Sequence, residues 1–351
     1  MPNGLDNAKE LAFKVKFSGD ESTSYMHAGN DRHEKIKSLF YSNELLVSEN
    51  VTPGLFDSLS QVLDRLKVPY DAVVVFVYAS ADINAHCYLG EESQCVVRIS
   101  SSLVDILDPL EFQFVLAHEI GHFLFSHGAE VKGEGSGSVE SYIQQRAQEI
   151  SADRIGLIGC DSLDVAIKAL IKTVSGLTSS HLRFDVGSFL SQLRKVSDNS
   201  VDNIHATHPS MLIRCRALLW FSINNSFIEK KAAYSKEELS KLDKKIKSDM
   251  DKYVDVTARK VISKSKDNLS MWMSAYEIVK KDRFTKSDQE RFCQSFGQST
   301  LESLISFLEG LSPDEAKSSV YSRVQDARKD LETLIPNSFD DEFRLLANKH
   351  Q

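Results

Sequence analysis

Apolar and polar positions alternate along the first part of the chain in short, readable blocks. LAFKVKF (11–17) alternates with the period of a strand, and residues 31–48 and 53–67 follow with helical spacing. VVVFVYA (73–79) and QCVVRIS (94–100) are β-rich, apolar and of strand length, with ADINAHCYLGEES (81–93) between them reading as a turn around Gly90. A helix is expected to open at DPLE. Asp108 caps it, Pro109 fits its first turn and Glu111 completes a capping box, and the apolar run continues through His127. GAEVKGEGSGS (128–138) is glycine- and serine-rich and reads as a mobile connector. Helical patterns resume over 139–158, 161–178, 185–196 and 209–223.

Beyond about residue 226 the composition turns to charged amphipathic helix. The lysine-rich run from Ser235 and shorter helical patterns through 333 break near Gly297 and at Leu311–Ser312–Pro313. The organisation expected is an α+β domain over 1–228, a small sheet with helices, followed by an all-α domain over 229–351. In the second domain Met271, Trp272 and Met273 are expected in a core. A role in recruiting a protein partner, or in covering the first domain, is open to it.

Composition narrows the function. A net charge of −8 argues against a nucleic-acid or anionic-membrane partner. Five cysteines, odd in number and without CxxC spacing, read as reduced thiols in a cytoplasmic protein rather than as a disulfide framework or a cysteine zinc site. The opening MPNGLDNAKELAFKVKF lacks the apolar core of a signal peptide, and nowhere do 18 apolar residues run together. A soluble protein is expected.

The chemistry sits in LAHEIGHFLFSH (116–127). On a helix His118 and His122 project from one face, about 6 Å apart along the axis, where two imidazoles can share one zinc ion. Glu119 beside them can reach a water at that metal without being a ligand. His127, five residues past His122, would point away from that face if the helix continued, and capping or solvent exposure is expected of it. The third ligand is read from QQRAQEISADRIGLIG, where Glu149 and Asp153 share one helix face and the small Ser151 and Ala152 permit close helix approach. Glu149 completes a His₂Glu set, and Asp153 can hydrogen-bond the far nitrogen of a ligand histidine. In ATHPSMLIRCRALLWF, His208 and Arg214 stand near a helix start and can face the same polar site.

In order, Asn84-Ala85, QCVVRIS, DPLEFQFVLAHEIGHFLFSH, EISAD and THPSMLIR resemble the HtpX-like and CAAX-prenyl-endopeptidase-like gluzincin metallopeptidases, over about residues 70–225. The resemblance implies a zincin-like domain that binds one Zn²⁺ per chain through His118, His122 and Glu149. It makes Glu119 the general base, sets His208 at the developing oxyanion, and has Arg214 bracing the site through Asp153. Peptide or protein is the implied substrate. The strand QCVVRIS, taken as an edge, is expected to pair with an extended substrate through Val96, Val97 and Arg98, with Asn84 beside it. Many relatives are membrane-embedded, and the absence of a spanning run here sets lipidated or membrane substrates apart from the chemistry. The alternative is a catalytically silent or latent zinc-binding scaffold, against which the intact Glu119 tells.

Overall fold

The computed structural model describes residues 4–22, 31–89, 94–127, 137–192, 208–223, 235–281 and 284–350. The connector expected over 128–138 lies mostly outside them. The described chain is largely helical, with one small mixed sheet. It divides into two compact units: Met1–Lys132, Gln144–Val201 and Ala206–Val254 in the first, and Gly133–Ile143, Asp202–His205 and Asp255–Gln351 in the second.

The first unit opens with helix α1 (Leu5–Val15), where the alternation of 11–17 had suggested a strand. Leu5, Ala8, Ala12 and Val15 are its buried residues, spaced three and four apart. Over that longer window the helical period replaces the period of two. Helix α2 (Asp31–Asn43) ends early, and Leu45–Leu46, expected within it, forms strand β1. Helix α3 (Pro53–Leu66) fills the helical stretch expected over 53–67, with a proline in its first turn.

Strands β2 (Val73–Tyr78), β3 (Ala85–Leu89) and β4 (Cys95–Ser100) complete a sheet of order β1-β2-β4-β3. β4 runs parallel to β2 and antiparallel to β3. QCVVRIS is therefore an interior strand, paired on both sides, and the edge belongs to β3, within the stretch read as a turn. Residues 85–89, AHCYL, contain no β-branched side chain, which weakens the strand signal.

Helix α4 (Ser101–Ile106) leads from the sheet into α5 (Pro109–Leu124), which begins with the expected capping box: Asp108 N donates to Glu111 Oε2 at 2.8 Å. Lys172 Nζ, 2.5 Å from the same oxygen, neutralises that buried carboxylate. α5 is buried on nearly every side. It does not reach His127. Ser126 takes φ 57, His127 N donates to His122 O at 2.9 Å, and Ser126 N donates to Phe123 O at 3.0 Å. This is a Schellman motif with serine where glycine is usual, and it folds His127 back toward His122.

Helix α6 (Val139–Cys160) lies close against α5 from Gln144 onward. A Cβ on Gly159 would stand 2.2 Å from Ala117 Cβ, and one on Gly121 would stand 3.2 Å from Ala152 Cα. Helices α7 (Leu163–Ser175), α8 (Val186–Leu190), α9 (Met211–Ser222) and α10 (Lys236–Tyr253) complete the unit. α10 places the boundary between units at Val254 rather than near 228. Its Leu239, Leu242, Ile246 and Met250 sit in the same core as α5 and the sheet. Its buried Asp243 pairs with Arg154 of α6 at 2.5 Å. The charged run from Ser235 is thus two helices, and only the second is in the other unit.

That second unit is helical: α11 (Val256–Val279), α12 (Lys286–Phe296), α13 (Gln298–Leu308), α14 (Pro313–Leu334) and α15 (Phe339–His350). Trp272 packs against both of its apolar clusters, one around Leu269, Leu331 and Phe339, the other around Phe292, Leu304 and Val320. Among the described residues no helix is long and apolar enough to cross a membrane.

Gly159→Ala forces α5 and α6 apart and is expected to cost about 1–3 kcal/mol, read as a lowered midpoint in chemical denaturation. Ser126→Gly relieves the left-handed backbone and is expected to stabilise by about 1 kcal/mol, measured the same way.

Candidate metal centre

His118 and His122 come from adjacent turns of α5, and the close crossing with α6 sets Glu149 against both. Their ligand-capable atoms all lie within 4.8 Å of one another. His118 Nε2 and His122 Nε2 are 3.1 Å apart. Glu149 Oε2 is 3.5 Å from His118 Nε2, and Glu149 Oε1 is 3.3 Å from His122 Nε2. With metal–ligand bonds of about 2.0–2.1 Å, a tetrahedral ion separates its ligand atoms by about 3.3 Å, and each of these contacts, made to one or the other oxygen of Glu149, is near that spacing. The donor set is also chemically apt. Two imidazoles aim nitrogens at each other and at one buried carboxylate, an arrangement that a proton on one ring satisfies only in part.

The charge balance points the same way. Glu149 and Asp153 are buried at 6% and 1% exposure, and Glu119 is buried beside them. Arg214 is the cation that spans Glu149 and Asp153: Nε and Nη2 donate to Asp153 at 2.8 and 2.6 Å, and Nη1 lies 3.1 Å from Glu149 Oε2. The neighbouring Arg216 turns instead to Asp249, 2.9 Å away. Burial opposes ionisation of Glu149, yet Arg214 and the two histidines hold its carboxyl well below the usual range. Asp153 is likewise penalised by burial and held low by Arg214 and His118. Burial disfavours a charged His122, but Glu149, by hydrogen bond and charge, and then Glu119 raise its pKa above the ordinary value. A divalent cation suits a cavity with this excess of negative charge.

Each of the two histidines also has a polar partner behind its ring. His118 Nδ1 is 3.0 Å from Asp153 Oδ1. His122 Nδ1 is 2.8 Å from His127 Nδ1, and His127 Nε2 is 3.0 Å from Asp20 Oδ2. His127 is thus buried rather than exposed, and it caps nothing with its side chain. Its pKa is held down at about 4, chiefly by burial, against the pull of Asp20. The helix does not continue to His127 because the left-handed Ser126 reverses the chain one residue earlier. Asp20 carried no signal in the sequence. It sits in a polar turn 107 residues from its partner, and nothing in local periodicity anticipates the contact.

His208 lies at the mouth, its Nε2 3.5 Å from Glu149 Oε1. Glu149 raises its pKa, but burial, Arg214, His118 and His122 together set it lower than usual. The residues expected to bind substrate are not gathered with these. Val96 and Val97 are buried in the sheet. Arg98 pairs with Glu44 and lies 4.4 Å from the rings of both Phe40 and Tyr78. Asn84 Nδ2 contacts His86 Nε2 at 2.9 Å, and its carbonyl accepts from Ser100 N. β3 packs against α5, the helix that carries His118 and His122.

Residues 52–135 match the family described as Peptidase family M48. Among curated proteins, Plastoglobule-localized metallopeptidase 48, chloroplastic, from Arabidopsis thaliana is similar, at 25% identity over 202 residues, 50% of this chain and 58% of that protein. The chain therefore covers little more than half the length of that relative. No solved structure matches it. The family match spans His118, Glu119 and His122, and both likenesses are to M48 metallopeptidases.

Proposed function

We propose that the protein is a zinc-dependent endopeptidase with a zincin-like catalytic domain and one metal per chain. The observation that carries this reading is the set of spacings between 3.1 and 3.5 Å among His118 Nε2, His122 Nε2 and the Glu149 oxygens. When bound there, zinc supplies Lewis acidity and makes water acidic enough to serve as a nucleophile near neutral pH. Glu119 takes the proton of the attacking water and delivers it to the leaving nitrogen. Its burial next to the cluster keeps that carboxylate away from bulk solvent. Asp153 orients His118, and Arg214 fixes Asp153 and Glu149 with one guanidinium. His208, at the mouth, donates a hydrogen bond to the developing oxyanion.

Substrate docks on β3 in this reading, not on β4. Asn84 O accepts from Ser100 N, so the alternation of an antiparallel pair turns the backbone groups of Ala85 and Cys87 outward from the sheet. An extended peptide can add there as a further strand, with affinity from main-chain hydrogen bonds and little demand on sequence. The substrate class is peptide or protein, without a nucleic-acid partner. The five cysteines are all free, which suits a reducing compartment such as the cytoplasm.

Elemental analysis after zinc dialysis is expected to find one zinc per wild-type chain and a weakened or lost metal in Glu149→Gln; folded wild-type protein without zinc would end this reading. Glu119→Gln should keep the metal and lose about 10²–10⁴-fold in peptide turnover. A scaffold would show the same function in both proteins. Zinc affinity should also fall on acidification. With its pKa raised, His122 takes up a competing proton already above pH 6.5, while the depressed Glu149 stays ionised. Each pH unit below the His122 pKa then costs about tenfold in affinity, measurable by chelator competition between pH 8 and 5.5.

A further inference from the structure

The two ligand histidines are supported differently. His118 places Nδ1 directly against a carboxylate, Asp153. His122 places Nδ1 against a second imidazole, and the carboxylate of Asp20 stands one ring further back. Asp20 is 2% exposed, and its remaining oxygen is already engaged: Ser22 donates its backbone N–H at 3.0 Å and its hydroxyl at 2.6 Å to Oδ1. His127 is fixed in turn, stacked on Phe125 with ring centroids 5.2 Å apart and planes at 23°.

One placement of protons satisfies these contacts together with a bound metal. A ligand nitrogen needs its lone pair, so His122 carries its proton on Nδ1 and donates to His127 Nδ1. His127 then carries its own proton on Nε2 and donates to Asp20. The opposite direction would leave a proton on His122 Nε2, where the metal must sit, and would face a ring lone pair toward the Asp20 carboxylate. The Schellman turn makes the arrangement possible, because it brings the residue after Ser126 back over His122.

We infer that His127 and Asp20 are positioning residues of the metal centre, a two-membered relay that fixes the tautomer and ring orientation of His122 from the N-terminal arm. The inference rests on the metal-centre reading above. It gives residues 15–22 a part in the site, although they precede the segment matched to the family, residues 52–135. The arm is tied down where this role needs it. Phe17 N donates to Ser151 Oγ at 3.1 Å, Ser18 N to Asp243 Oδ2 at 2.9 Å, and Arg154 Nη1 to Val15 O at 2.9 Å. Ser151 thereby links the arm to α6, two residues from Glu149.

The test uses the full chain and zinc alone. Affinities are measured by chelator competition for wild type, Asp20→Asn, His127→Gln and the double variant, beside the unfolding midpoint of each zinc-free protein. Each single substitution is expected to weaken zinc binding by about 10–100-fold. The double variant should match His127→Gln, because Asp20 acts only through His127. Asp20→Glu should recover part of the loss. Long-range ¹H–¹⁵N spectra of the wild-type histidines, which require no variant to fold, should place the His122 proton on Nδ1 and the His127 proton on Nε2. Variant affinities equal to wild type, losses that simply add, or a proton on His127 Nδ1 would overturn the relay while leaving the zinc site in place. A folded wild type that takes up no zinc would overturn the relay together with the reading it rests on.

Discussion

Two carboxylates one turn apart on a buried helix are the constraint around which the first unit is organised. Glu149 and Asp153 both face α5, and burying two anions there without compensation is untenable. Arg214 answers part of the charge by bridging the pair, and this requires α9 to lie where its guanidinium reaches both. One cation against two acids, with Glu119 beside them, leaves a negative balance. The nitrogens of His118 and His122 face the uncompensated side, so electrostatics and ligand geometry ask for the same occupant. Removing Arg214 would leave the acids to repel each other, and removing the acids would strand a buried guanidinium. The cluster is coherent only as a whole.

That coherence depends on helix spacing. The histidines and Glu149 meet because α5 and α6 touch almost backbone to backbone, with Gly121 over Ala152 and Gly159 over Ala117. Ordinary side chains at these positions would hold the axes further apart and open the ligand spacings beyond the reach of one ion. The surrounding core keeps the crossing rigid. α5 is enclosed on nearly every side, and the one acid of its first turn is neutralised by a buried lysine.

Much of the site was legible in the sequence because its spacing is local. His118, Glu119 and His122 lie within one helical turn and a half, and Glu149 with Asp153 within another, so an ideal helix is enough to place each set on a face. The small residues Ser151 and Ala152 signalled the approach of the second helix. Long-range pairing left weaker traces. Strand β3 carries too few β-formers to show a period of two, and its place at the sheet edge follows from how β4 inserts between it and β2. α1 was misread because seven residues of alternation happen to fit a strand, while the spacing of Leu5, Ala8, Ala12 and Val15 does not. α10 resembles the rest of the charged run in sequence, since the stripe that docks it on the first unit is narrow and its buried acid is explained by distant partners, Arg154 and the backbone amide of Ser18.

His127 shows how a single backbone angle can reverse a conclusion drawn from periodicity. On a continued helix a residue five places on lies about 140° around from His122, and a role at the metal centre would be excluded. A left-handed residue at 126 converts the same spacing into contact, since the Schellman turn sets the second residue past the helix cap against the third from its end. Serine gives no warning of that angle where glycine would have. The consequence extends to Asp20. Once His127 is folded inward, its outer nitrogen is buried against the returning arm, and a buried imidazole nitrogen needs a partner. The arm supplies a carboxylate whose other oxygen is already held by Ser22, so the hydrogen-bond chain closes on itself with every polar atom engaged. The N-terminal arm and the helix-ending turn are two halves of one solution, and neither half can be recognised without the other.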